Sequence, residues 1–311
     1  MEEFSNDSIL DLELKAKVIL NETDTARLTG VKELREWIHE KQHVFSCPID
    51  EGFLVRFLRQ GKFDQNVTRK RLKLYIKLYC CDYKGRPDLF NSLPLTEEEI
   101  SLFVAAKTLL PLGHARKNGP FVILGRLSDF DENFFSRKLI LQCWIMYAIW
   151  LSTKPRIQVN GISFISDLKD ITMSMFMKFY EINDIKVITA FLQDAMPMRI
   201  EQLILYREPK VISIVFPIVE PLIHENIRAR IYRVKDDLEL LEEKIEGLGD
   251  ILPREYNGKG PSIEEISERS KTELMNFWKI NNEKFEWHKK KQNFLSNLVR
   301  IMKDDPLLQL N

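Results

Sequence analysis

Four short apolar runs, Phe121-Val122-Ile123-Leu124, Ile162-Ser163-Phe164-Ile165, Leu203-Ile204-Leu205-Tyr206 and Ile231-Tyr232-Arg233-Val234, recur after Pro94 with room for helices between them. Strands separated in this way pair side by side through crossovers, so the pattern restricts this part of the chain to an α/β sheet, mostly parallel and covered by its helices. Long helical patterns occupy roughly 134–153 and 172–194, inside two of those gaps.

Upstream of Pro94 the periodicity is helical throughout. Leu10, Leu12, Leu14, Val18 and Leu20 open an amphipathic run that Val31, Leu34, Trp37 and Ile38 continue. Asp50 is placed to cap a helix whose apolar side is Phe53, Leu54, Phe57 and Leu58, and Gly61 is placed to end it. The spacing from Asn66 to Cys81 predicts a further helix that buries Val67, Leu74, Tyr75, Leu78 and Tyr79 and carries Arg69, Lys73 and Lys77 as one basic stripe. Helix returns after Gly258 and Pro261, marked by Ile266, Leu274, Trp278, Phe285, Phe294, Leu298 and Ile301. The expected organisation is an all-α N-terminal domain at 1–95, an α/β domain at 96–260 and a C-terminal helical extension at 261–311.

Composition excludes some functions. Of 311 residues, 44% are hydrophobic, enough for a core, and 46 basic residues against 46 acidic ones leave no net charge for broad neutralisation of a phosphate backbone. A nucleic-acid partner is therefore not expected. Cys47, Cys80, Cys81 and Cys143 make no disulfide framework, which suits a reducing cytoplasm. The acidic start, Met1-Glu2-Glu3, does not resemble a secretory signal, and the apolar stretch Leu139–Leu151 falls short of the ~20 residues that cross a bilayer.

Enzyme motifs are sparse. His39-Glu40-Lys41-Gln42-His43 matches HExxH, which on a helix sets two imidazoles on one face, able to hold zinc with Glu40 as general base. Yet Arg35, His39 and His43 flank the wet side of the apolar stripe, Pro48 breaks the helix soon after, and His114, His224 and His288 offer no motif for a third ligand. Gly161-Ile162-Ser163 lacks the closing glycine of a nucleophile elbow, and the 12 glycines form no phosphate loop. No catalytic residue, metal or cofactor is expected, and a zinc hydrolase stays as a minor alternative.

One segment stands apart. Val211–Ile223 is apolar on nearly every helical face, is interrupted by Pro217 and Pro221, and lies between Arg207, Glu208 and Lys210 on one side and His224, Glu225, Arg228, Arg230 and Arg233 on the other. Such a helix is either a plain core element or a lid that covers an oily cavity in water and lies against lipid at a membrane.

Several stretches together resemble the CRAL-TRIO family of lipid-binding proteins. Asp50–Asp64 is similar to the family's LLRFLRARKFD helix, Gln158-Val159-Asn160-Gly161-Ile162 with Asp167-Leu168 to its QxNGI and FDLEG strand, Asp194–Arg199 to its DxFPLR, and Ile251–Gly260 to its LPxEYGG ending. The resemblance implies a helical bundle before a mixed, mostly parallel sheet that floors a hydrophobic pocket, with Val211–Ile223 as a mobile gate. It implies a pocket lined by Leu141, Trp144, Ala148, Ile162, Phe164 and Leu203, closed by Phe191, Leu192, Met196 and Met198, with Ile212, Val215 and Val219 on the gate. Arg199, Phe216, Arg228 and Arg230 would meet membrane or headgroups. Strand alternation separately puts Ile162, Phe164 and Ser166 on one face. The function implied is binding and intermembrane transfer of one small lipophilic molecule, whether tocopherol-, retinoid- or carotenoid-like or a phospholipid, by a monomer that touches anionic or phosphoinositide membranes transiently. A lipid-regulated sensor or phosphoinositide-binding adaptor is the alternative. Two departures bear on the ligand: Trp144 is large where relatives carry a small residue, and Glu201 and Asn226 stand where relatives are basic.

Overall fold

In a computed structural model, which describes residues 6–40, 50–80, 89, 95–179 and 181–289, the apolar runs pair in sequence order. Strands β1 (Leu109–His114), β2 (Phe121–Gly125), β3 (Ile162–Asp167), β4 (Ile200–Tyr206) and β5 (Ile231–Val234) form one sheet in the order β1-β2-β3-β4-β5. β2 through β5 are parallel, while β1, which the apolar-run reading missed, pairs antiparallel with β2. Pro111 and Gly113 hid it. They break the alternation, and the register shifts between them, which an edge strand tolerates because one side of its backbone has no partner to lose.

Sequential order has a geometric consequence. Right-handed crossovers between neighbours that advance in one direction put every connecting helix on the same face. That face receives α6 (Arg137–Ser152) and the short α7 (Pro155–Asn160) between β2 and β3, then α8 (Met173–Phe179) and α9 (Ile182–Ala190) between β3 and β4, and α10 (Lys210–Val219) and α11 (Glu225–Arg228) between β4 and β5. Ser136 starts α6 by accepting the Leu139 N–H at 3.1 Å. The single helix expected over 172–194 is divided: α9 widens into a π-turn at Phe191–Ala195, closed by the Met196 N–H on the Phe191 carbonyl at 2.8 Å. The wider turn keeps Phe191, Ala195 and Met196 all in the core. The opposite face is left for the chain after β5, namely α12 (Leu238–Lys244), α13 (Leu248–Ile251) and α14 (Ile263–Lys289).

The N-terminal helices are α1 (Asn6–Leu20), α2 (Asp24–Glu40), α3 (Glu51–Gln60), α4 (Gln65–Cys80) and α5 (Glu97–Ala105). Asp50 caps α3 through the Phe53 N–H at 2.7 Å, as its position predicts. Leu34, Leu54, Phe57, Leu58 and Leu72 join the same hydrophobic cluster as Ile140, Cys143 and Ile162, so the helical and α/β parts share one core. Two expectations fail here. Val67 is exposed, because α4 turns Thr68, Leu72, Tyr75 and Ile76 inward instead, and among the described side chains of α1 only Ala16 and Leu20 are buried while Leu10, Leu14 and Val18 face outward. Phe294, Leu298, Ile301 and Cys47 lie outside the described residues, as do the side chains of Tyr79 and Phe285.

Candidate functional site

The two faces of the sheet are unequally covered. Val122, Leu124, Ile165, Ile204, Tyr206 and Val234 pack into a closed core with α12, α13 and α14. On the other face β-pairing aligns Ile123, Phe164 and Leu203, with Leu203 opposite Ile231 and Leu205 opposite Arg233. Phe164, Ser166, Leu203 and Ile231 are only half-buried there. The Phe164 ring lies across β2 at Gly125, where a Cβ would come within 2.8 Å of it. Glycine thus flattens the floor of this face.

α10 reaches over that face from the end of β4. It buries Ile212 and Val215, at 7% and 6% exposure, yet among the described residues neither belongs to any of the hydrophobic clusters. Phe216 and Val219 are half-buried, and the Arg233 guanidinium sits 5.4 Å from the centre of the Phe216 ring. Pro217 lies inside the helix and a 3-10 turn at Glu220–Leu222 follows, so the segment expected as one helix to Ile223 ends earlier. The outward side presents Ile214 and Ile218 at 61% and 54% exposure.

The start of α10 is pinned. Arg207 takes a left-handed φ of 52°, and its guanidinium grips Asp167, with Nε on Oδ1 at 3.0 Å, between the rings of Tyr206 and Tyr256 at 4.9 and 5.3 Å. The Tyr256 hydroxyl donates to the same carboxylate at 2.5 Å. Burial, reinforced by that hydrogen bond, raises the Tyr256 pKa, and the bond to Asp167 makes Arg207 hold its proton more firmly. Two quoted motif segments therefore meet in one network, Asp167 from β3 and Tyr256 from the ending motif, and within that ending Gly258 sits where a side chain would collide with the Leu252 carbonyl. The sequence contained these residues but no sign that they touch.

Among the expected lining residues, α6 presents Leu141 buried and Trp144 and Ala148 half-buried. Trp144 and Ile140 border a cleft of about 20 Å³ whose far walls are Met175, Phe176 and Phe179 of α8 and Leu127 and Phe130 of the β2–α6 connection. The aromatic wall of α8 went unnoticed in the sequence, although Met173, Met175, Phe176, Met177 and Phe179 crowd one short stretch. Ile162 lies on the same sheet face as Phe164, buried in the cluster that includes Ile123 and Ile140. Phe191, at 1% exposure, turns instead toward the N-terminal helices, its ring 6.5 Å from that of Tyr75, and Met196 and Met198 are buried in the same cluster with Leu192 half-buried.

The charged residues have specific tasks. Arg199 points inward, donating to the carbonyls of Gln158 at 3.1 Å and Val159 and to Glu201 at 3.1 Å, so it is spent on backbone and on its neighbour. Arg230 donates to the Ile200 carbonyl at 2.7 Å and to Glu201 at 3.2 Å. Lys15 of α1 lies beside this group, its pKa lowered by burial and by Arg199, with Glu201 opposing. Arg228 is exposed and donates to the Ile223 carbonyl at 3.1 Å. His39 and Glu40 end α2 exposed, and His43 lies outside the described residues; among those described, no three potential metal ligands cluster. No helix among them is long and apolar enough to cross a membrane.

Comparison with known proteins places this geometry. Residues 108–258 match the CRAL/TRIO domain. An alpha-tocopherol transfer protein-like protein of Homo sapiens is 29% identical over 254 residues, which cover 82% of this chain and 72% of that one. Its Mus musculus counterpart is 28% identical over 257 residues, covering 83% and 72%. Clavesin-2 of Mus musculus is 25% identical over 250 residues, covering 79% and 73%. A crystal structure of Sfh5 superposes with a TM-score of 0.47 at 12% identity over 71% of this chain and 84% of that one, too distant to add to the domain match.

Proposed function

We propose, from the match of residues 108–258 to the CRAL/TRIO domain, that the chain binds one small lipophilic molecule beneath α10 and carries it between membranes unchanged. The observation that supports this best is the position of α10: it buries Ile212 and Val215 beside a half-covered apolar sheet face, and among the described residues neither joins a hydrophobic cluster. A helix packed as a plain core element would share that cluster. Apolar walls with few polar groups, here Trp144, Ala148, Phe164, Leu203 and Val219 with Ser166, suit a neutral or weakly polar lipophile held by burial at ~25 cal/mol per Å².

The cleft beside Trp144, at about 20 Å³, holds roughly one water, whereas a lipophile needs on the order of 300 Å³ or more. Loading therefore requires α8, which walls the cleft, to move outward, and α10 to lift for a molecule that extends over the neighbouring sheet face. In water that motion exposes Ile212 and Val215, at about 1.5–3 kcal/mol each, so opening is coupled to a surface that accepts them. A bilayer does so, with Ile214, Ile218 and the exposed Arg228 already facing outward to meet it. Arg199 contributes by fixing the α7–β4 junction rather than by reaching a headgroup.

Native mass spectrometry of the purified chain, followed by organic extraction of what co-purifies, tests the proposal. One lipophilic molecule per chain is expected, recovered chemically intact. A chain that stays ligand-free after incubation with a total lipid extract, or that returns a modified product, overturns it.

A further inference from the structure

Among the described residues, the far end of α10 is tied to another element by two neighbouring side chains, chiefly Gln193. Gln193, at 8% exposure in the π-turn, uses both halves of its amide on the segment after α10: Nε2 donates to the Leu222 carbonyl at 3.1 Å, and Oε1 accepts the His224 N–H at 2.6 Å. Asp194, the next residue, lies 3.6 Å from the His224 ring. The π-turn is itself gripped from behind. Arg71 of α4 sends one guanidinium nitrogen to the carbonyls of Gln193, at 2.9 Å, and Met196, at 3.0 Å. A chain of hydrogen bonds thus runs from the N-terminal helices through the π-turn to the end of α10.

We propose that Gln193 is the latch of α10 and that Arg71, from the N-terminal helical region, sets the strength of that latch. The reasoning compares the two ends of the helix. At its start Arg207 is locked by Asp167, Tyr206 and Tyr256, and Glu208 adds an ion pair to Arg233 at 2.8 Å. That end is a pivot. At the other end the contacts are the Gln193 amide and the exposed Asp194–His224 pair, and Pro217 and Pro221 have already removed two backbone donors from the final turns. The end with fewer ties opens first, so α10 swings from Leu222 about Arg207. A π-turn suits such a part, because its extra residue aims Gln193 and Asp194 at 222–224 while Phe191 and Ala195 stay in the core. Packing against α4 then makes the N-terminal helices a control on ligand release and not only a scaffold. This rests on the reading of α10 as a gate.

Amide hydrogen exchange on the full chain, with and without vesicles of phosphatidylcholine and phosphatidylserine, tests both levels. Gln193→Met removes both amide bonds at similar volume. Exchange across residues 214–220 is expected to rise about tenfold in solution, with sheet amides at 163–166 and 204–206 unchanged. Arg71→Lys, which keeps the charge but loses the planar fork, is expected to raise the same segment by a smaller factor of about three, and it decides the matter if the Gln193 variant does not fold. A rise confined to the His224 amide means that Gln193 is a local cap, and an unchanged 214–220 segment in both variants removes the latch. If vesicles accelerate 214–220 in the wild type while the variants match it, the gate stands and the latch falls. If neither vesicles nor variants move that segment, the gate reading itself fails.

Discussion

Replacing Ile214 and Ile218 together with aspartate tests whether the outer face of α10 is where the protein meets lipid. Both are already exposed, at 61% and 54%, so the substitutions remove no core contact and the fold is expected to keep its melting temperature within about 1 °C. Fully burying an isoleucine contributes about 1.5–3 kcal/mol, and with a little over half of each side chain still in water the pair has roughly 2–3 kcal/mol to gain at an interface. Losing it corresponds to roughly a 30- to 150-fold weaker partition onto vesicles, before any penalty for bringing carboxylates to an anionic surface. Val215, which the resemblance puts on the gate, does not serve for this test. Val215 is 6% exposed, so aspartate there buries a charge and destabilises the closed state, confusing loss of membrane contact with loss of fold. The assay is co-sedimentation with phosphatidylcholine–phosphatidylserine vesicles, read beside the transfer rate of a fluorescent lipophile between vesicles and its retention in solution. Weaker partition and slower transfer with unchanged retention are expected. An unchanged partition coefficient in a folded Ile214→Asp, Ile218→Asp protein refutes the argument, because lipid would then be met by another face.

Trp144→Ala should enlarge the cleft between α6 and α8 and shift binding toward bulkier lipophiles, measured by competition against a fluorescent probe; an unchanged ranking in a folded variant places Trp144 outside the site. Asp167→Ala strips Arg207 and Tyr256 of their shared partner and should cost roughly 3 kcal/mol in denaturant unfolding, the lower end for a broken buried pair because Arg207 is 20% exposed. Tyr256 keeps its proton above the ordinary tyrosine value of 10.0 in the folded chain, so the unfolded state binds fewer protons once pH passes that value; stability should be level below it and fall above it, with a shallower fall in Tyr256→Phe, as melting temperature against pH would show. Chelator-free protein should contain no stoichiometric zinc by elemental analysis, and zinc that disappears in His43→Ala would reinstate the hydrolase alternative.

Short-range physics made much of the architecture legible in the sequence. Apolar runs of strand length separated by helical periods identify a parallel sheet, Asp50 and Gly61 bracket α3 because capping needs only neighbouring atoms, and the two prolines of Val211–Ile223 mark an unusual helix. Where local pattern conflicted with tertiary context, the reading went astray: β1 hides behind Pro111 and Gly113 because only its edge position makes them tolerable, and Val67 faces water because the neighbours of α4 lie on its other side. The site depended still more on assembly. Which of two apolar sheet faces is sealed follows from sequential strand order with right-handed crossovers, and no single segment states that order. Asp167, Arg207 and Tyr256, or Arg71, Gln193 and His224, are far apart in the chain and meet through side-chain hydrogen bonds whose partners the backbone brings together only after folding. Periodicity reports which side of an element avoids water. It does not report what that side is packed against, and at α10 the difference between a core and a cover lies there.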